Sequence, residues 1–191
     1  AQEALRLNEQ LFSGVFNNSL DALFLVDWKT RLIQNCNGRA LSLFEAMHKS
    51  EVVGQAGFTW HRTKRDPDIS KQASEVVSRG GEWIEEVEYT TLKGNHFWGL
   101  LAARKLDLPT GQTALVRITD ITSLKQMELQ LRQERDFSRW VIDALPGVFY
   151  VLEADGRLRS WNKQLEKVTG LTGELLKGIS CLKLLHTDDH A

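Results

Sequence analysis

The chain has 191 residues, 42% hydrophobic and 26% charged, with a formal net charge of −1. Charge this balanced excludes recruitment of nucleic acid or an acidic membrane surface by a global field. No apolar run approaches the roughly 20 residues that cross a bilayer, and the length accommodates one full core plus a fragment. The opening AQEALRLNEQ is polar and helix-like, unlike a secretory leader. Cys36 and Cys181 form no CxxC pair and read as reduced, structural thiols, from which a cytoplasmic location is expected.

In chain order, Ala4, Leu7, Leu11 and Val15, widened by Leu5, Phe12 and Phe16, recur at helical spacing and predict a helix over 3–17. ALFLVD (22–27) predicts a buried strand. A turn at Trp28-Lys29-Thr30 leads to a second strand over 31–35. Asn37 is placed to cap a helix over 38–46. Short helical turns follow around 50–53 and 57–62. Asp68 or Ser70 starts a helix that runs to Ser78 and stops at Gly80-Gly81. Residues 82–92, 95–106 and 112–119 are rich in Trp, Val, Tyr, Thr and Phe and are punctuated by Lys93-Gly94-Asn95 and Pro109-Thr110-Gly111, which predicts a three-strand meander. Parity sets Tyr89 with Val87 and Trp83, and Ile118 with Val116. Both faces of the strand carrying Trp98 are apolar, so parity does not orient that residue. Two apolar faces require two coverings, and residues 3–17 are expected to cover the outer one. The fold class is α+β: a five-stranded antiparallel sheet with short helices on one face. Residues 121–142 contain no Gly or Pro and predict one continuous helix, with Leu124, Met127 and Leu131 along a seam of barely two heptads.

The chain also repeats itself. SLDALFLVDWKTRLIQNCN (19–37) and ALPGVFYVLEADGRLRSWN (144–162) align without a gap at a shift of 125, the separation of Asn37 and Asn162. Both stretches run on through an apolar-periodic segment to a glycine, Gly54 or Gly178. A repeat this long is domain-sized, not a solenoid period of roughly 20–50 residues.

The two-strand opening ending in Asn, the GNHFWGLLAARKL strand and the closing Ile118-Thr119-Asp120-Ile121-Thr122 resemble the PAS sensor-domain family. PGVFYVLEADGRLRSWNKQLEKVTG with LLHTDDHA resembles the same family again. The resemblance implies a capping helix over 1–18, a first PAS domain over 19–122, a linker helix over 121–142 and the N-terminal part of a second, truncated PAS domain over 143–191. It implies a bacterial sensory module that detects a small ligand, redox state or partner. The signal would pass through the linker helix to an output domain outside this chain, a histidine kinase or a cyclic-di-GMP cyclase or phosphodiesterase. The alternatives are a ligand-free dimerisation module with a filled core, or the sensor part of a transcriptional activator. Self-association through the capping and linker helices is the expected partnership, without nucleic acid or membrane contact.

No Walker A, HExxH, GxSxG or GxGxxG motif occurs, so no catalytic residues are assigned. Glu3-Ala4-Leu5 and the sequon Asn17-Asn18-Ser19 are chance matches. His186 and His190 have a possible metal spacing, but the segment resembles a family loop, and no metal site is assigned. His61 is the candidate haem ligand, without a supporting local pattern. Trp60, Trp83 and Trp98 either wall a cavity that stacks a flavin or small metabolite, or fill a core without any cofactor, the leading expectation. The Asn-Cys-Arg motif of light-sensing flavin relatives is absent, since Cys36 lies in the second strand. Asn37, Phe58, Trp60, Tyr89 and Ile118 are the candidate pocket residues, between 57–78 and the inner face of the meander. Asp120, Ile121, Thr122, Leu124 and Leu131 are the candidate transmission residues.

Overall fold

The computed structural model describes residues 2–64, 66–108 and 111–184; the His186 and His190 segment lies outside them. The chain divides into two compact units between Gln126 and Met127. The first contains α1 (Gln2–Asn17), β1 (Ala22–Asp27), β2 (Ile33–Cys36), α2 (Gly38–Leu43), two 3₁₀ turns (Lys49–Glu51 and Gly57–Trp60), α3 (Pro67–Ser78), β3 (Glu82–Thr90), β4 (His96–Leu108) and β5 (Gly111–Asp120). The strands form one antiparallel sheet in the order β2-β1-β5-β4-β3. The hairpin and the meander join because the alternating apolar residues of β1 and β5 face the same side, with Ala22 opposite Ile118 and Phe24 opposite Val116.

The inner face packs on Phe44, which is wholly buried at the end of α2. Phe24, Tyr89 and Phe97 meet its ring edge-on at centroid distances of 5.7, 5.5 and 5.2 Å, and Trp60 tilts against it at 5.1 Å. Such aromatic pairs add about 0.5–1.5 kcal/mol each beyond area burial. Gly99 permits this arrangement: a Cβ there would lie 2.7 Å from the Tyr89 ring and 2.8 Å from an Ile118 methyl. Glu45, left-handed at φ 56°, lies just past α2, which ends at Leu43, three residues before the position the sequence predicts. Its carboxylate accepts hydrogen bonds from the Thr91 hydroxyl and the Asn95 amide, which tie α2 to the β3–β4 turn. Asp66 caps α3, with Pro67 in the first turn. That Asp-Pro pair starts the helix earlier than Asp68.

The expected cover of the outer sheet face by residues 3–17 is not made by the described side chains. Leu11, Phe12 and Val15 are exposed and only Phe16 is buried; the side chains of Ala4, Leu5 and Leu7 lie outside those described. The helix is held at its C-terminal end, where the Phe16 carbonyl accepts from the Asn37 side chain at 2.9 Å. The outer face carries half-buried Leu23, Leu25, Trp98, Leu100 and Leu115.

From Thr122 to Ala144 the chain is one helix, α4. Unit two then adds β6 (Tyr150–Leu152), β7 (Leu158–Trp161), α5 (Lys163–Thr169) and α6 (Gly173–Leu176) around a small core of Leu158, Leu165 and Leu176. Among the described residues β6 pairs only with β7, and Tyr150, Val151 and Leu152 are exposed. The structure corrects the gapless register of the repeat. Phe24 pairs with Cys36, whereas Tyr150 pairs with Trp161, so the first strands correspond at a shift of 126 and the second strands at 125. The difference is one turn residue. Asp27 N–H donates across the first turn to Leu32, and Glu153 N–H across the second to Arg157. Both turns end in a left-handed residue, Arg31 (φ 63°) or Gly156 (φ 78°).

Candidate functional site

A cavity of about 540 Å³ lies between the inner face of the sheet and the segments 57–64 and 67–77, a size that suits a small organic ligand. Its inner wall is apolar: Phe24 and Val26 of β1, Leu101 and Ala103 of β4, and Ala114, Val116 and Ile118 of β5. Trp60, Trp83 and Tyr89 add aromatic faces, and Pro67, Ala73 and Val77 come from α3. Among the described residues the polar side chains of the lining are Arg31, His61, Thr63, Lys64, Ser70 and Ser74, besides the Tyr89 hydroxyl and the tryptophan indoles. His61 packs edge-on against Tyr89 at 5.2 Å, and the two residues form an isolated β-bridge.

Arg31 comes from the β1–β2 turn. Asp27 organises that turn by accepting from Lys29 N–H, Thr30 N–H and the Thr30 hydroxyl. Those bonds, the Thr30 N–H foremost, hold the Asp27 carboxyl below its usual range. The Arg31 guanidinium lies 4.1 Å over the Trp28 ring and donates to the Ser74 hydroxyl on α3 at 3.2 Å. Burial lowers its proton affinity, and an arginine stays charged nonetheless.

Four of the five candidate pocket residues line this cavity: Phe58, Trp60, Tyr89 and Ile118. Asn37 does not. It is wholly buried, and its side chain donates to the Phe16 and Asp21 carbonyls and accepts from Leu23 and Ala40 N–H. All four of its hydrogen-bonding positions are spent on the fold. Asn162 does the same work in unit two, donating to the Gly147 carbonyl and accepting from Phe149 and Leu165 N–H. Trp98 faces away from the cavity on the outer sheet face, opposite Glu88. Sequence reasoning missed Arg31 and Ser74. The sequence repeat carried a clue to Arg31, since Gly156 fills the corresponding turn position of the second hairpin.

The residues offered as cofactor ligands fit a flavin poorly. No Asn, Gln or Cys lines the cavity among the described residues. The polar edge of an isoalloxazine against the apolar inner strands would leave its groups unsatisfied, at about 1–3 kcal/mol each. Cys36 is buried away in β2, which pushes its thiol pKa up.

At the exit of β5, Asp120 accepts from Thr122 N–H at 2.9 Å. Trp98 is gripped by its backbone: its N–H donates to the Thr122 hydroxyl at 3.0 Å and its carbonyl accepts from Ile121 N–H at 2.8 Å. Ile121 is buried, whereas Leu124, Met127 and Leu131 are exposed. Lys125 pairs with Glu86 and lies over the Trp98 ring at 5.7 Å. Three elements, β3, β4 and α4, therefore meet at Trp98.

The family model for the PAS domain matches residues 20–123. Among solved structures, the PAS domain of an HTR-like protein from Haloarcula marismortui aligns at 20% identity over 63% of this chain and 97% of its own, with a TM-score of 0.54. An RNA-binding light-oxygen-voltage receptor aligns at 14% identity over 70% of this chain and 39% of its own, with a TM-score of 0.58. A PAS domain of a two-component sensor histidine kinase aligns at 12% identity over 60% of this chain and 97% of its own, with a TM-score of 0.50. At these identities the likeness is one of fold. No curated protein matches. No described helix is long and apolar enough to cross a membrane.

Proposed function

The chain belongs to the PAS-domain family, and from that premise we propose that it is a non-catalytic sensory module of a cytoplasmic bacterial signalling protein. A small molecule enters the cavity, and the change in the sheet passes to α4 and on to an output domain outside this chain. A histidine kinase or a cyclic-di-GMP enzyme is the expected output. The observation that carries this reading is continuity. Ile118 lines the cavity two residues before Asp120, and Tyr89, also in the lining, rests on Gly99, next to Trp98. A ligand that moves Tyr89 or Ile118 acts on the strand ends that hold Ile121 and Thr122, and coupling requires that junction to have two states.

We read residues 143–191 as the opening of a second PAS domain. The matching Asn37 and Asn162 caps, and the left-handed Gly54 and Gly178 at φ 87° and 72°, support that reading. Among the described residues one edge of β6 is unpaired, and further strands would add there.

The second reading is a ligand-free dimerisation module. The exposed apolar stripes of α1 (Leu11, Phe12, Val15) and α4 (Leu124, Met127, Leu131) favour self-association, which is compatible with sensing. Two-dimensional amide NMR of the chain against a panel of small apolar fragments separates the two. Sensing predicts shifts at the Trp60 and Trp83 indoles together with Ile121 and Thr122; a panel that perturbs no lining residue contradicts it.

A further inference from the structure

The charge on the cavity wall points to a ligand class. Among the described residues, Arg31 and Lys64 line the cavity and no Asp or Glu does. No carboxylate pairs with Arg31 among the described residues; the guanidinium has the Trp28 face and the Ser74 hydroxyl. A half-buried cation without a counter-ion beside an apolar inner wall is an anion-recognition element.

The backbone adds an independent argument. Arg31 sits at φ 63°, a conformation that costs a non-glycine residue strain and is retained where the structure uses what it positions. The corresponding place in the second hairpin is Gly156 at φ 78°, so the turn is readily made by glycine. What Arg31 adds over glycine is a guanidinium braced between the hairpin and α3 at the cavity wall.

Resting on the reading of the cavity as a small-molecule site, we propose that its ligand is an apolar monocarboxylate. The body lies against Trp60, Trp83 and Val116, and the carboxylate is held by Arg31 with Ser74 beside it.

The test is calorimetric titration of the full 191-residue chain with three compounds that share one body: 4-phenylbutyrate, 4-phenylbutan-1-ol and 4-phenylbutylamine. The wild type is expected to bind the acid about tenfold or more tightly than the alcohol, and the amine most weakly. In Arg31→Gln the acid and alcohol converge to within about twofold, because the acid loses its charged contact. Arg31→Gly, which suits the turn backbone, repeats the result in a second background and guards against misfolding. Equal acid and alcohol affinity in the wild type overturns the carboxylate assignment, and acid preference surviving in both variants overturns Arg31 as its anchor; either leaves the cavity a ligand site. No binding of any of the three at millimolar concentration overturns both.

Discussion

Trp98 N–H donates to the Thr122 hydroxyl at 3.0 Å, joining a central strand to the first residue of α4. With the Ile121 N–H bond to the Trp98 carbonyl, it fixes the start of the helix against β4. Thr122→Val keeps the shape and removes the acceptor. The expected outcome is a folded domain, destabilised by about 1–2 kcal/mol, with faster amide exchange at Trp98. Unchanged exchange would show that the bond does not hold the junction.

Asp120 acts on the same junction through the Thr122 N–H rather than through an ion pair. Asp120→Ala is expected to cost about 0.5–2 kcal/mol, as for loss of a helix cap, and to uncouple ligand from output in the full-length protein. Normal switching by that variant would remove Asp120 from the pathway.

Trp60 is half-buried and lines the cavity while touching Phe44. Trp60→Ala should cost less than the ~3–5 kcal/mol of a fully buried tryptophan and weaken ligand binding by a larger factor than it weakens folding. Denaturant melts paired with titrations measure both; equal losses favour a core-filling role.

Asn37 serves the fold alone. Asn37→Ala strands two carbonyls and two N–H groups, and an expected loss of at least about 3 kcal/mol follows. Ligand affinity of the remaining folded fraction is expected to stay unchanged. A selective loss of affinity with stability intact would return Asn37 to the site.

Glu45 is held below the ordinary carboxyl range by the Thr91 hydroxyl and then by the Asn95 amide. A depressed folded pKa gives stability that is present above the unfolded value, near 4.5, and lost as pH falls through the folded one. Wild-type melting temperature should therefore fall more steeply below that pH than in Glu45→Gln. Parallel curves would assign the acid sensitivity to other groups, of which Asp27 and Glu51 are also depressed.

Most of the fold was legible because periodicity and turn residues state it locally. The alternation Ala114, Val116, Ile118 gave the strand face, and Asn37 gave a helix start. What failed depended on tertiary context. The stripe of α1 was clear, but no local pattern says which surface accepts it. Asn37 looked like a pocket residue until its four partners, three of them distant in sequence, were in place. Trp98 was ambiguous because both faces of β4 are apolar, and pairing with Glu88 decides it. Arg31 was missed because a left-handed arginine follows no propensity rule.

Amide hydrogen exchange at Ile121 and Lys125, with the cavity filled by a bound fragment, tests the link between cavity and helix most directly. Ile121 N–H reports the bond to Trp98, and Lys125 N–H the first turn of α4. Saturation is expected to change protection at both amides in the wild type and at neither in Trp60→Ala under the same conditions. Altered protection along the cavity lining with Ile121 and Lys125 unmoved would contradict it.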